Sequence, residues 1–260
     1  MNIVVLDDSK TVLMTIELFL EELGIAEEEI HLFQNGTEAL EYIEQNGADI
    51  IFSDIQMPQM SGYEFVERLL ALSKHFINIL FIISADDNSQ SVARMKEIGA
   101  KRFIHKPISA QHFNHFVAPE IAKIRDRSAQ HTVSTSGGTP HMPEKRSAAK
   151  PLTAVIDLDH DTLAEKIGIP SKFIARLVES FLSESKKIIE NLEKAIAAMD
   201  YAAIAQYSHA LKGSSGNMKF NTLYTFAKKL EEAAVREDSK FPYDGYLQSI
   251  KEAFGTALDE

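Results

Sequence analysis

Apolar residues follow two different rhythms along this chain, and the change comes near its middle. In the first half, short β-branched runs alternate with stretches of helical period. The runs at 3–6, 30–33, 50–52, 79–83 and 103–104 predict five strands. The segments 12–23, 37–44, 63–72, 89–98 and 111–124 predict amphipathic helices among them. Such alternation calls for an α/β, doubly wound five-stranded parallel sheet with helices on both faces. In that architecture ligands gather at the carboxyl ends of the strands.

Past residue 152 only the helical period survives. Phe173, Leu177, Phe181, Ile188, Leu192, Ile196 and Met199 mark one long apolar stripe, broken at Asp200-Tyr201. Further helices are predicted over 202–219, 222–235 and, beyond Phe241-Pro242, 246–258. Short connections between long amphipathic helices predict an all-α antiparallel four-helix bundle. Between the two rhythms, Gly, Ser, Thr, Pro and Ala crowd together, as in Ser134-Thr135-Ser136-Gly137-Gly138-Thr139-Pro140, and no apolar period is kept. The chain therefore reads as a domain over 1–125, a flexible linker over 126–152 and a second domain over 153–260. Its 260 residues suffice for two separate cores.

Charge narrows the partners. The net charge is −11. Residues 1–125 carry ten basic against nineteen acidic residues, 126–152 four against two, and 153–260 thirteen against seventeen. Phosphate-backbone binding needs a surplus of Lys and Arg, so nucleic acid is excluded as a generic partner and a protein partner is expected. The lack of cysteine rules out disulfides and thiolate chemistry and fits a reducing compartment. No uninterrupted apolar stretch approaches the ~20 residues that cross a bilayer. Asp7 and Asp8 cut short any leader-like segment. The expectation is a cytoplasmic protein without membrane insertion.

The candidate chemistry lies where strands end. Asp7 and Asp8 follow the first predicted strand and Asp54 follows the third. In a parallel sheet these three carboxylates converge. Clustered hard oxygen donors suit Mg2+, which shares its remaining positions with water and phosphate oxygens. A carboxylate can also attack phosphorus to give an acyl phosphate. Ser84 and Lys106 end the fourth and fifth strands and supply a hydroxyl donor and a cation. A nucleophile, a metal and donors aimed at equatorial oxygens are sufficient for phosphoryl transfer. Any one of these residues alone is an ordinary solvated loop charge; five at four strand ends are a site.

These stretches, Val4-Val5-Leu6-Asp7-Asp8-Ser9, Asp54-Ile55-Gln56-Met57-Pro58, Ser61-Gly62, Ser84-Ala85 and Lys106-Pro107, resemble the response-regulator receiver family over residues 1 to about 124. The resemblance implies that Asp54 is the phosphoacceptor. It further implies that Asp7, Asp8, Asp54 and the Gln56 main-chain carbonyl hold Mg2+, and that Ser84 and Lys106 contact the phosphoryl group. Ser84 and Phe103 are then the switch residues. Family members often carry Tyr where this chain has Phe103.

On the second predicted helix of the bundle, Ile204, Tyr207, Leu211, Ser215 and Met218 form the core stripe. His209, Lys212, Gly213 and Gly216 fall on another face, so His209 is expected to be exposed. Two helical glycines cost roughly 1 kcal/mol each relative to Ala, and close approach of another molecule is a reason for them. Lys212, one turn from His209, can pair with a phosphoryl oxygen. His31, His75, His105, His131, His141 and His160 read as ordinary histidines, and His112 with His115 make too few ligands for zinc. The run His209-Ala210-Leu211-Lys212-Gly213-Ser214-Ser215-Gly216-Asn217 resembles the signature of histidine phosphotransfer (HPt) domains. This implies that His209 carries a phosphoryl group supported by Lys212. The family usually has glycine where this chain has Lys219.

Together the two resemblances imply a two-component phosphorelay protein, a phosphotransfer protein and not an enzyme proper. A sensor histidine kinase loads Asp54, the group moves to His209, and a downstream receiver protein takes it. The alternative is a receiver that switches conformation on phosphorylation and gates an HPt domain serving a separate relay. A metal-dependent phosphatase is less favoured, since no second substrate motif stands beside the acidic site. With no Gly-rich ATP-binding segment in context, the chain does not read as a complete sensor kinase.

Overall fold

The computed structural model describes residues 1–72, 77–84, 89–131 and 160–255; the predicted linker core, His75, His141, Ala85 and the end of the last predicted helix lie outside the described residues. The first domain is built from β1 (Ile3–Leu6), α1 (Lys10–Glu22), β2 (Ile30–Phe33), α2 (Gly36–Asn46), β3 (Ala48–Asp54), α3 (Gly62–Ala71), β4 (Ile77–Ser84), α4 (Ser89–Ile98), β5 (Arg102–His105) and α5 (Ala110–His131). All pairings are parallel and the sheet order is β2-β1-β3-β4-β5. Side chains alternate across the sheet as the pleat requires: Ile3 and Val5 join one apolar core, Val4 and Leu6 the other. Val12, Ile16 and Phe19 of α1 and Phe113, Val117 and Ile121 of α5 complete the first core, while α2, α3 and α4 cover the second.

Strand order reverses direction between β1 and β3, and the crevice of a doubly wound sheet opens at such a switch point. Register brings Leu6 beside Ser53, Asp54 beside Ile83 and Ser84 beside His105. The five strands thus finish at one level.

The second domain is helical: α6 (His160–Ile167), α7 (Ile174–Ala197), α8 (Tyr201–Asn217), α9 (Asn221–Val235) and α10 (Tyr243–Gly255). Helices α7 to α10 correspond to the four predicted ones. The short α6, not anticipated, packs Leu163, Ala164 and Ile167 into the same core. Helix α5 continues to His131, past its predicted end at 124.

The two domains share one apolar core. Helix α1 buries nine of its thirteen residues, because the sheet covers one side and α7 and α8 pack against the other. A helix that is apolar nearly all round is a helix buried all round.

Candidate functional site

The carboxylates of Asp7, Asp8 and Asp54 each bring an oxygen within 4.8 Å of the others. Asp7 and Asp54 are fully buried, so their charges need partners. Lys106 Nζ donates to Asp7 Oδ2 at 2.7 Å and to Asp54 Oδ2 at 2.8 Å. The remaining oxygens accept from the chain itself: Ser9 N–H donates to Asp7 Oδ1 at 2.9 Å and Ile55 N–H to Asp54 Oδ1 at 2.7 Å. Burial pushes the Asp7 carboxyl up to about 7 against the pull of Lys106, with Asp54 adding to the rise. Asp8 is raised well above the carboxylate range by burial and then by Asp7 and Asp54. Burial alone would depress the Lys106 ammonium, but Asp54 and Asp7 hold it above its ordinary value. Three carboxylates facing one ammonium leave an excess of negative charge among hard oxygen donors, and a divalent cation of the Mg2+ class fits that set.

Around this cluster, Ser84 is buried at the end of β4, and its carbonyl accepts from Lys106 N–H at 2.7 Å. Gln56 is exposed in the loop after β3. Phe103 is half-buried in β5, packs against the second core, and has Lys96 Nζ 5.8 Å from its ring centre. The loop after β3 is shaped by Gly62, whose N–H donates to Ile55 O at 2.8 Å. A Cβ there would lie 2.2 Å from the Asp54 carbonyl oxygen. Only glycine allows that approach.

In the second domain, His209 and Lys212 lie one turn apart on α8 and meet a residue that sequence reasoning missed, Glu231 of α9. His209 Nδ1 lies 2.6 Å from Glu231 Oε1, and Lys212 Nζ donates to Glu231 Oε2. Burial pushes the Glu231 carboxyl up, but His209 and Lys212 prevail and hold it below its ordinary value. An ionised carboxylate can only accept, so Nδ1 carries a hydrogen toward Glu231, and in the neutral ring the lone pair is then on Nε2. That Nε2 is buried and finds no hydrogen-bond partner among the described residues. A signal for Glu231 existed: it follows Ala227 by four positions on the stripe that also carries Leu223, Leu230 and Ala234.

The expected exposure of His209 is corrected. Its side chain is only 12% exposed and that of Lys212 10%. The face bearing them is turned toward the first domain. A Cβ on Gly216 would stand 3.5 Å from Pro107 Cβ, and one on Gly213 4.0 Å from Lys106 Nζ. Gly216 is approached first by Tyr224 of the bundle itself, 3.1 Å from such a Cβ, and both glycines face the chain's own sheet domain. Between the domains lies a cavity of about 320 Å³, lined by Asp8, Gln56 and Met57 on one side and by Ala205, His209 and Glu231 on the other.

Comparison with known proteins agrees with both halves. Residues 3–118 match the response regulator receiver domain family and residues 176–258 the Hpt domain family. The chain is 23% identical over 229 residues to the sensory/regulatory protein RpfC of Xanthomonas campestris, covering 84% of this chain and 28% of that protein. It is 20% identical over 256 residues to the virulence sensor protein BvgS of Bordetella bronchiseptica, covering 96% of this chain and 20% of that one. It is 34% identical over 136 residues to the chemotaxis protein CheV3 of Helicobacter pylori, covering 49% and 42%. The chain thus spans about a quarter of the length of the sensor proteins it resembles. Among solved structures, the chemotaxis response regulator CheY4 of Vibrio cholerae is similar with a TM-score of 0.42 and 23% identity, covering 46% of this chain and 97% of that one. The sheet domain, its acidic crevice and the helical bundle thus define a protein of two-component signalling. More particularly, the chain carries a response regulator receiver domain over residues 3–118 and an Hpt domain over residues 176–258. Among the described residues no helix is long and apolar enough to cross a membrane.

Proposed function

We propose that this chain is a relay intermediate in which a sensor histidine kinase loads Asp54, the phosphoryl group passes to His209 of the same chain, and a separate receiver protein takes it onward. The observation that carries this reading is the shared cavity, with Asp8 of the acidic cluster and His209 on its walls. In the first step an Asp54 oxygen bonds phosphorus while the P–N bond to the donor's histidine breaks, its electron pair returning to that ring. Lys106, which binds Asp54, then donates to phosphoryl oxygens, and the hydroxyl of Ser84, buried at the end of β4, does the same. Asp7, Asp8, Asp54 and the Gln56 main-chain carbonyl would hold Mg2+, which when bound would neutralise phosphoryl charge.

In the second step the His209 Nε2 lone pair bonds phosphorus and the P–O bond to Asp54 breaks, restoring the carboxylate. No proton has to move, because Nδ1 keeps its hydrogen against Glu231. The ring gains positive charge as the P–N bond forms, and the adjacent Glu231 carboxylate stabilises it. Lys212, which donates to Glu231, then pairs with a phosphoryl oxygen as a point charge.

The test is phosphorylation by a small-molecule phosphodonor with Mg2+ in wild type, Asp54→Asn and His209→Gln. Acid-stable, base-labile label that later becomes acid-labile on His209 is expected. Label that stays on Asp54 would instead favour the gating alternative, which has its own support: Pro107 and Ile108, next to Lys106, touch Gly216 and Asn217 of α8.

A further inference from the structure

One carboxylate outside both phosphotransfer centres ties the domains together. Glu184, on α7, accepts four hydrogen bonds from the start of α1: Lys10 N–H at 2.9 Å, Thr11 N–H at 3.1 Å, Thr11 Oγ1–H at 2.7 Å and Ser9 Oγ–H at 3.1 Å. The first N–H groups of a helix have no partner within it, and the positive end of the helix dipole favours an anion there. Helix α1 has no acidic residue in its own first turn. Its anion comes from the other domain.

Three further observations give this contact direction. Toward the other end of α1, burial raises the Glu17 and Glu21 carboxyls, and Arg176 of α7 offsets part of the rise at both, joined by Lys172 at Glu21. Helix α7 therefore runs antiparallel to α1 with charges matched at both ends. Ser9, whose hydroxyl donates to Glu184, also donates its N–H to Asp7, so a single residue links the clamp to the acidic cluster. Finally, Asn217 Oδ1 on α8 accepts from Ile108 N–H at 2.9 Å, a second polar tie just past Lys106.

We propose that Glu184 is a positioning and specificity-determining residue: by clamping Ser9, Lys10 and Thr11 it makes this chain's own receiver domain the preferred partner of His209 and withholds His209 from other receivers until the clamp opens. This rests on the reading that phosphate moves between the two domains. An added receiver competes with one on the same chain, whose effective concentration is of order mM when the two sites can meet. Docking contacts such as those of Glu184 raise the advantage further, and a competing receiver lacking a hydroxyl at the position of Thr11 would leave the carboxylate underpaired.

The experiment compares full-length wild type, Glu184→Ala, Thr11→Val and the double variant. Docking is read first without phosphate, in a His209→Gln background, from the amide resonances of Lys10 and Ile108 and from the radius of gyration in solution. Glu184→Ala is expected to shift the Ile108 amide, which it does not touch, and to increase the radius; Thr11→Val added to it should change nothing more. Transfer is read second, in chains that retain His209. Movement from Asp54 to His209 within one chain should slow about tenfold, and exchange between an Asp54→Asn chain and a His209→Gln chain should rise about tenfold. An unchanged Ile108 amide and radius in Glu184→Ala, or additive effects of the two substitutions, would overturn the proposal. If the radius responds as expected but wild type never moves label from Asp54 to His209, the clamp stands as a docking device and the relay reading falls.

Discussion

Lys219 follows α8 with a φ of +61°, a left-handed conformation that crowds any side chain, and Phe220 N–H closes the helix end onto Ser215 O at 2.9 Å. This gives a physical reason for the glycine usual at that place in the family. Lys219→Gly should stabilise the protein by about 0.5–1 kcal/mol once glycine's larger chain entropy is subtracted. A denaturation midpoint that rises at unchanged slope would establish it; an unchanged midpoint would mean that Lys219 makes compensating contacts. At His209, Glu231→Gln removes the charge that fixes the ring. A hydrogen bond to a charged group contributes ~1.5–3 kcal/mol, so loading of His209 should slow by roughly tenfold or more. Imidazole nitrogen shifts should show mixed tautomers in the variant, and a single Nδ1–H tautomer in both proteins would remove the role given to Glu231. Asp7 adds a pH dependence. Its carboxyl, near 7 when folded against 3.8 ordinarily, binds a proton that the unfolded chain has already lost. The stability contributed by that proton is fully present below about pH 4 and is lost as pH rises through about 7 in metal-free protein. Mg2+ competes for the same oxygens, so the rise in thermal midpoint caused by Mg2+ should be larger at about pH 8 than at about pH 5.5. Equal rises at both would show that Asp7 is ionised throughout.

Among the elements, what was legible in the sequence depended on whether a residue's role is local. Asp7, Asp8, Asp54, Ser84 and Lys106 could be found because each follows an apolar run, and a parallel sheet brings such positions together without further information. Gly62 belongs with them: its place after Asp54-Ile55 is set by a close backbone approach, where an added Cβ would fall 2.2 to 2.6 Å from main-chain atoms. Gly62→Ala should cost about 1–3 kcal/mol by overpacking and shift the Asp54 loop, which a lowered denaturation midpoint together with weakened Mg2+ binding would reveal. A midpoint within error of wild type would mean that the loop yields freely. Glu231 and Glu184 were not found because their partners lie on other helices, 22 and about 175 positions away in sequence. The exposure of His209 was misjudged for the same reason: periodicity assigns a face to a helix but cannot say that a second domain covers it. Helix α6 went unseen because eight residues with three apolar contacts scarcely establish a period.

For the whole molecule, the shared core matters more than either site. Leu13, Met14 and Leu18 of α1 are all at most 6% exposed, in a helix that meets the sheet on one side and α7 and α8 on the other. The pattern Lys10-Thr11-Val12-Leu13-Met14-Thr15-Ile16 already held the clue, since Lys10, Glu17 and Glu21 leave α1 a narrower polar side than an ordinary surface helix reserves. Removing such residues from water contributes about 1.5–3 kcal/mol each, enough to couple the two domains' unfolding. Mg2+ added to the full-length protein should therefore raise the melting of the helical bundle as well as that of the sheet. Differential scanning calorimetry resolving two transitions, only one of them moved by Mg2+, would show that the domains melt independently.

That doubly apolar α1 also bears on how such chains can be recombined. A receiver with one wet side can be cut from its neighbour and joined to a new output like an interchangeable part. This one carries its neighbour's imprint on its first helix, and a graft that keeps residues 1–131 while discarding the bundle would inherit an oily surface along with the phosphorylation chemistry.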